Sequence, residues 1–362
     1  MHLNIALLLC TVLLPRLGFS IEEIRAYHRS GRIEALGGAY VSLADDASSL
    51  FLNPAGLANF EKGAFHVAIT DVEFSTDVVS TALNGLSGLT SPDVNLVNAL
   101  MGKNIYGRAQ IAPVIAFNNF GLSYFLDAQT ALYMWNKALP RITFGYQLTH
   151  GAQVGYGFNL LGRRRRGGQY GSLKLGLGAK ILFRKGGYRK VPTSTLFRFG
   201  EGLDLVNELA GSWGIGYGFD VGLLYSYPIG RHVKFSLGSA FRNIGDVTFT
   251  TGDPDSIKGD WGIGTSVKYE GKSWSALLSY EFSDLLLQTD WRKKNHLGVE
   301  ISLPIVKLYA GLNQTYLTYG VGLDFWIFSL TAMSYGEELG ALSYQSGNRR
   351  YLVRLDFKLA LF

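Results

Sequence analysis

The densest charge in this chain is Arg163-Arg-Arg-Arg166, set between Gly162 and Gly167-Gly168. Four adjacent guanidinium groups suit contact with an anionic lipid or an acidic partner, although a like-charge run in a turn is most often simply solvated. Asp45 and Asp46 form the next cluster, which would hold a cation or, as is more usual, neutralise arginines inside the protein. Asn53, with Pro54 fixing the turn after it, reads either as an amide that holds a movable segment or as a turn needed only for folding. The histidines (His2, His28, His66, His150, His232 and His296) show no paired spacing of metal ligands. No Ser-His-Asp grouping falls at a common place, so the sequence points away from an enzyme and away from a cofactor.

What could position such residues is bounded by the composition. Hydrophobic residues make up 47% of the 362 and charged residues 17%, with no linker between globular units. The N-terminal apolar run through Leu14, broken at Pro15 and followed by Gly18 and Ser20, reads as a signal peptide over 1–20. The only cysteine, Cys10, lies inside that run, so the exported chain is expected to carry no thiol, which suits passage through an oxidising periplasm. Loss of Arg16 with the leader lowers the formal charge from +6 to +5, too mild to argue for nucleic acid.

Beyond the leader no stretch reaches the roughly 18 apolar residues of a spanning helix. Instead, short runs alternate with period two from about residue 63 to the end. In Tyr351 to Phe362 the odd positions carry Tyr, Val, Leu, Phe, Leu and Leu, while Arg354, Asp356 and Lys358 occupy the other face. The 45 glycines suit closely packed strands and a crowded interior, and 20 Tyr with 22 Phe suit two interfacial girdles. Strands are expected at 64–74, 110–118, 120–130, 142–160, 171–184, 213–227, 233–242, 260–269, 273–282, 296–303, 306–313, 317–325, 328–335 and 351–362.

The run 142–160 is long enough to break at Gly151, which would make fifteen strands. Link lengths favour fourteen: very short links alternate with mostly longer ones (75–109, 131–141, 185–212, 243–259, 283–295 and 336–350). Outer-membrane barrels put short turns on the periplasmic side, so both termini are expected there, with Arg163 to Arg166 in a periplasmic turn. Were that run outside, lipopolysaccharide phosphates would be its ligand. Asp77 to Leu100 carries apolar residues at three-to-four spacing, which predicts two short helices around Pro92, and a third is expected at Glu201 to Ala210. The expected fold class is therefore an all-β transmembrane antiparallel β-barrel of about 14 strands, with short helices in extracellular loops.

Residues 31–60 do not alternate, and turns are expected at Gly37-Gly38 and Asn53-Pro54. Ala35-Leu-Gly-Gly-Ala39, Ala44-Asp-Asp-Ala47 and Asn53-Pro-Ala-Gly-Leu-Ala58 resemble the start of the FadL-type outer-membrane transporters of hydrophobic compounds. The related barrels include accessory porins of the type IX secretion system. The resemblance implies a hatch inside a fourteen-strand barrel, and divides the chain into a signal peptide (1–20), a hatch or plug (21–62) and a barrel (63–362). It places Asn53, Pro54, Ala55 and Gly56 in the hatch motif.

The function expected from this reading is passive uptake of a hydrophobic small molecule, such as a long-chain fatty acid, across the bacterial outer membrane. Val79, Leu83, Leu86, Leu89, Val97 and Leu100 are the expected ligand contacts in the loop after the first strand. Arg163, Arg164, Arg165 and Arg166 are the expected contacts with outer-membrane lipid or an anionic partner. The alternative is a non-transporting barrel that serves as scaffold or shuttle for a secretion-system or surface protein partner.

Overall fold

Successive side chains of a strand point to opposite faces, and one strand makes the consequence plain. Between Gly214 and Ile229 the positions Gly216, Gly218, Asp220 and Leu224 are buried, whereas Tyr217, Phe219 and Leu223 are exposed. The same alternation in every neighbour gives a polar or glycine-lined interior and an apolar exterior, which is the arrangement a lipid bilayer selects. The computed structural model describes residues 28–60, 64–85, 98, 100–135, 141–162, 171–192, 211–252 and 254–360. The expected leader, the expected helix at Glu201 to Ala210 and the run Arg163 to Arg166 lie outside the described residues. No described helix is long and apolar enough to cross a membrane.

The strand segments are β1 (Ala64–Ser75), β2 (Asn104–Ile111), β3 (Val114–Phe117), β4 (Phe120–Trp135) and β5 (Arg141–Leu161). They continue as β6 (Ser172–Pro192), β7 (Gly214–Ile229), β8 (Val233–Arg242), β9 (Asp260–Glu270) and β10 (Ser275–Phe282). The last are β11 (Asn295–Ser302), β12 (Val306–Asn313), β13 (Tyr316–Asp324), β14 (Phe328–Glu338) and β15 (Gly347–Ala360). Each pairs antiparallel with its neighbours, and β15 returns to β1 from Ala64↔Ala360 to Ser75↔Arg350. β2 and β3 share one place between β1 and β4, so the closed barrel has 14 strands.

The interruption in the wall is not at Gly151, because β5 runs unbroken past it. It falls at Ala112 and Pro113, between β2 and β3, where proline has no N–H to give to a ladder. The second strand also starts at Asn104 rather than at 110, and β4 extends to Trp135. Their inward positions carry Arg108, Gln110, Asp127 and Gln129, all buried, and such polar runs hide a strand from a hydrophobic pattern. In the last strand the expected alternation holds, with Arg354 and Asp356 buried and Val353 and Phe357 exposed.

Ala64 and Ala360 are paired, so the barrel begins and finishes at one end. That end carries the short connections, including Asn118-Asn119, 303–305 and 325–327. The longer links lie mostly at the other end, although β12 and β13 are joined there by only Gln314 and Thr315. A helix at Thr76–Gly85 follows β1, as expected, and packs on β1, β2 and β15.

Candidate functional site

The segment 28–60 lies inside the barrel, and its own sequence shapes it. A helical turn at Gly31–Ala35 ends at Gly37 and Gly38, whose φ angles of 65° and 89° are the left-handed values that glycine adopts without cost. A second turn, Ser49–Leu52, leads to Asn53, whose side-chain oxygen accepts from the Ala55 amide and caps a 3₁₀ turn over Pro54–Asn59. Both expected turns are present. Asn53 through Ala58 are buried.

Wall glycines let this hatch lie directly on strand backbone. A Cβ at Gly176 would stand 2.0 Å from the Ala55 nitrogen and the Pro54 carbonyl carbon, and one at Gly222 would stand 2.0 Å from Asn53 Oδ1. At Gly157 and Gly238 the nearest hatch atoms would be 2.3 Å and 2.2 Å away. Any larger residue at these inward positions would occupy the volume the hatch fills.

Polar groups fix the seat on both sides. Glu281 Oε2 accepts from the amides of Tyr40 and Val41 at 2.7 and 2.8 Å. The His296 Nδ1 lies 2.7 Å from the Gly37 carbonyl oxygen, which can only accept, so Nδ1 donates to it, and Nε2 lies 2.8 Å from the Ser283 hydroxyl. Opposite, Gln153 donates to the Leu50 carbonyl at 2.7 Å, and Asn53 Nδ2 donates to the Val41 and Leu223 carbonyls. Asn53 therefore joins three stretches of backbone that are distant in sequence.

Asp45 and Asp46 pair with Arg32 of the hatch itself rather than with an arginine of the wall, at 2.6 and 3.0 Å. Arg32 also reaches Glu300 of β11 at 2.7 Å, so one guanidinium ties the elbow of the hatch to the barrel. Burial would raise the Asp46 carboxyl, but Arg32 beside it outweighs that and holds it well below the usual carboxylate range. No group of metal-ligating side chains occurs among the described residues.

Glu34 behaves in the opposite way. Burial pushes its carboxyl up to about 7, against the pull of Arg29. A released hatch would ionise the same carboxyl near 4.5, so between these values the seated form holds the extra proton. Rising pH thus favours release, with the full effect above about 7. His28, neutral while seated, acts in the opposite sense as pH falls, so hydrogen-exchange protection of residues 31–58 is expected to fall more between about pH 5 and about pH 8 in the unsubstituted protein than in Glu34→Gln. The same pH dependence in both proteins would refute this.

Toward the end away from the termini, a buried ionic ring crosses the closure of the barrel. Arg29 donates twice to Glu337, Arg350 sits 2.7 Å from Glu337 and 3.4 Å from Glu73, and Arg108 sits 2.6 Å from Asp127. Tyr335 donates to Glu73, and the Arg350 guanidinium lies 3.6 Å from the Tyr106 ring centre.

Beside this ring runs an apolar cluster. The link between β8 and β9 folds into the lumen, where Val247 and Ile257 exchange backbone hydrogen bonds of 2.8 and 2.9 Å. Gly214, Gly216 and Gly218 of β7 make room for it. Val247 and Ile257 belong to one buried cluster with Leu182, Phe125, Leu50, Phe51 and Leu57, which also takes in Ala112 and Val114 beside the break in the wall. His28 stacks on Phe51 at 3.8 Å, and burial together with Arg354 keeps its imidazole neutral. On the termini side, by contrast, a cavity of about 460 Å³ is lined by Arg32, Asp46, Lys268, Lys307, Asp324 and Lys358 among others.

The hatch motif is thus central, while the expected ligand contacts are dispersed. Val79 is exposed on the helix after β1, and Leu83 belongs to that helix. Leu100 is buried, and Leu86, Leu89 and Val97 lie outside the described residues. The strands flanking Arg163 to Arg166 finish, at Leu161 and Ser172, at the termini end. Val247, Phe249 and Ile257 were not expected inside. Their sequence signal is the Gly214-Ile-Gly-Tyr-Gly218 stripe, which marks a surface that something must cover.

A closed antiparallel barrel with an internal hatch and an apolar lumen cluster belongs to the class of plugged membrane barrels. More particularly, the fold is similar to that of solved monoaromatic hydrocarbon channels and a toluene transporter. The TodX monoaromatic hydrocarbon channel deltaS2 mutant superposes with a TM-score of 0.52 and 11% identity, over 92% of this chain and 99% of that one. TbuX, the toluene transporter of Ralstonia pickettii, gives 0.50 and 11% over 93% and 99%. The TodX deltaS2S3 mutant gives 0.50 and 12% over 94% and 100%. No family model and no curated protein matches the chain.

Proposed function

We propose that this protein is a passive outer-membrane channel for small, neutral hydrophobic molecules. The observation that carries the reading is the apolar cluster, which joins Val247 and Ile257 of the inward-folded link to Leu50, Phe51 and Leu57 of the hatch and to Ala112 and Val114 at the wall break. The lumen around it is built of ion pairs, and the vestibule on the termini side is polar. A hydrophobic molecule follows the apolar line and leaves toward the membrane, because entering the polar vestibule would strand its surface among charges. The fold likeness to monoaromatic hydrocarbon channels agrees with this.

A neutral cargo suits the cluster better than a fatty acid. Arg184, the cation beside Phe249, already donates to Thr149 and the Asp255 carbonyl and lies 5.1 Å from the Phe249 ring. Arg29, Arg108 and Arg350 are matched to Glu337, Asp127 and Glu73. A cargo carboxylate would have to displace one of these partners.

Ile257→Asp puts a charge on the apolar line and is expected to cut uptake of a monoaromatic hydrocarbon about 10-fold or more, with barrel assembly intact. Val79→Asp, outside the line, is expected to leave uptake unchanged. Unaltered uptake in correctly inserted Ile257→Asp protein would sink the reading. Mass spectrometry of the natively purified protein addresses the scaffold alternative, since a stoichiometric protein partner with no hydrophobic compound in the lumen would favour it.

A further inference from the structure

The membrane-facing belt is not equally tall around the barrel. β4, β5 and β6 have 16, 21 and 21 residues, whereas β10, β11 and β12 have 8 each and β13 has 9. An eight-residue strand rises about 27 Å along its axis, or about 21 Å along the membrane normal at a tilt of about 40°. The apolar band of an outer-membrane barrel is about 25 Å, so these strands alone do not span it.

The two ends of the short strands differ in chemistry. Away from the termini, β12 turns into β13 through Gln314 and Thr315, a polar pair whose side-chain oxygens are buried, Gln314 accepting from the Glu338 amide. At the termini end, β11 turns into β12 through Leu303, Pro304 and Ile305, and β13 into β14 through Phe325, Trp326 and Ile327. Ile305 is 53% exposed, Ile327 60% and Trp326 95%. These tips are held rather than loose. The Asp324 amide donates to the Ile305 carbonyl at 2.7 Å, and the Lys358 amide donates to the Ile327 carbonyl at 2.9 Å. The charged side chains nearby point away from them: Lys307 and Lys358 turn inward, where both reach Asp324.

We propose that the turns at 303–305 and 325–327 are embedded in the lipid of the periplasmic leaflet and complete the apolar belt that the short strands leave unfinished. The occupant is lipid because the patch continues the lipid-facing surface of β11 to β14 without a polar break, and Phe328 and Phe357 extend it up the wall. Trp326 then lies where its ring is buried among acyl chains and its indole N–H meets the headgroups. Turns of this kind would otherwise expose a large aromatic patch to the periplasm, which soluble surfaces avoid.

The test is depth by spin label in phospholipid vesicles. Ile305→Cys and Trp326→Cys, each in a Cys10→Ser background and labelled with a nitroxide, are expected to be relaxed by dissolved oxygen in preference to a water-soluble nickel chelate. A label at Asn118→Cys, in the polar turn of the same rim, is expected to show the reverse. Nickel-favoured relaxation at 305 and 326 would overturn the proposal and leave the patch as a surface for a periplasmic protein. Should either variant fail to insert, lipids brominated on their acyl chains provide a second reading on the unsubstituted protein. They are expected to quench a tryptophan component that Trp326→Phe removes, and a component quenched only by aqueous iodide would count against embedding.

Discussion

Gly176→Ala is expected to unseat the hatch while leaving the barrel assembled. The added methyl would stand 2.0 Å from the Ala55 nitrogen and the Pro54 carbonyl carbon and 2.5 Å from the Pro54 oxygen. All three are backbone atoms of a capped turn, so no side chain can rotate away, and residues 53–59 must lift as a unit. Overpacking of this kind costs about 1–3 kcal/mol, which shifts the seated-to-released ratio by roughly 5- to 150-fold. The strand itself tolerates alanine, so the heat-modifiable folded band on a gel should persist. Single-channel conductance and liposome swelling with a small sugar should both rise. Gly107→Ala provides the control, because its Cβ would meet only Thr130 at 3.7 Å, an ordinary contact. Equal conductance in the two variants would show that the Pro54–Asn59 turn does not close the lumen.

That experiment separates two readings of Asn53 that the sequence left open. Its amide makes one bond within the hatch, to Val41, and one to the wall, at Leu223, so it is at once a folding element and a tether. Asn53→Ala would remove both bonds together with the cap on Ala55, whereas Gly176→Ala leaves every polar partner in place and adds only volume. Agreement between the two variants would place the seal in the seat itself rather than in the chemistry of the amide.

Some parts of this arrangement are legible in the sequence, for physical reasons. A lipid-facing strand must alternate, and outer-membrane barrels mostly alternate short and long links, so local pattern and link lengths together sufficed for the count of strands. The turns at Gly37-Gly38 and Asn53-Pro54 are local too, since they depend on backbone angles that glycine and proline dictate. The ion pair of Arg32 with Asp45 spans only 13 positions, yet the sequence does not single out this arginine, because side-chain direction in a non-periodic segment has no pattern to read. The apolar lumen was not legible at all. It joins Leu50, Phe125, Leu182, Val247 and Ile257, which no spacing connects, and only the β7 glycine stripe hinted at a covered surface. The start of the second strand was hidden for the reverse reason, since Arg108 and Gln110 are polar because their partners are inside.

The largest loss of stability is expected from Arg350→Met. Arg350 is wholly buried beside the β1–β15 closure, where its guanidinium serves Glu337 and Glu73 and stacks on Tyr106. A methionine fills most of the volume and keeps the contact with the ring, so the effect to be measured is electrostatic. Glu73 would retain the more distant Arg108, at 3.6 Å, and the hydroxyl of Tyr335. Removing one partner of a buried pair costs about 3–5 kcal/mol, because the remaining charge has left water without compensation. The urea midpoint of unfolding should fall accordingly, and the loss should appear as faster opening, since this ring joins the last strand to the first. Adding Glu73→Gln removes the stranded charge and keeps an acceptor for Tyr335, so the double variant is expected to recover more than half of the loss. If it recovers nothing, the damage lies in packing against Tyr106 rather than in charge. An unchanged midpoint in the single variant would mean that water reaches Glu73, and that the ring does not hold the barrel closed.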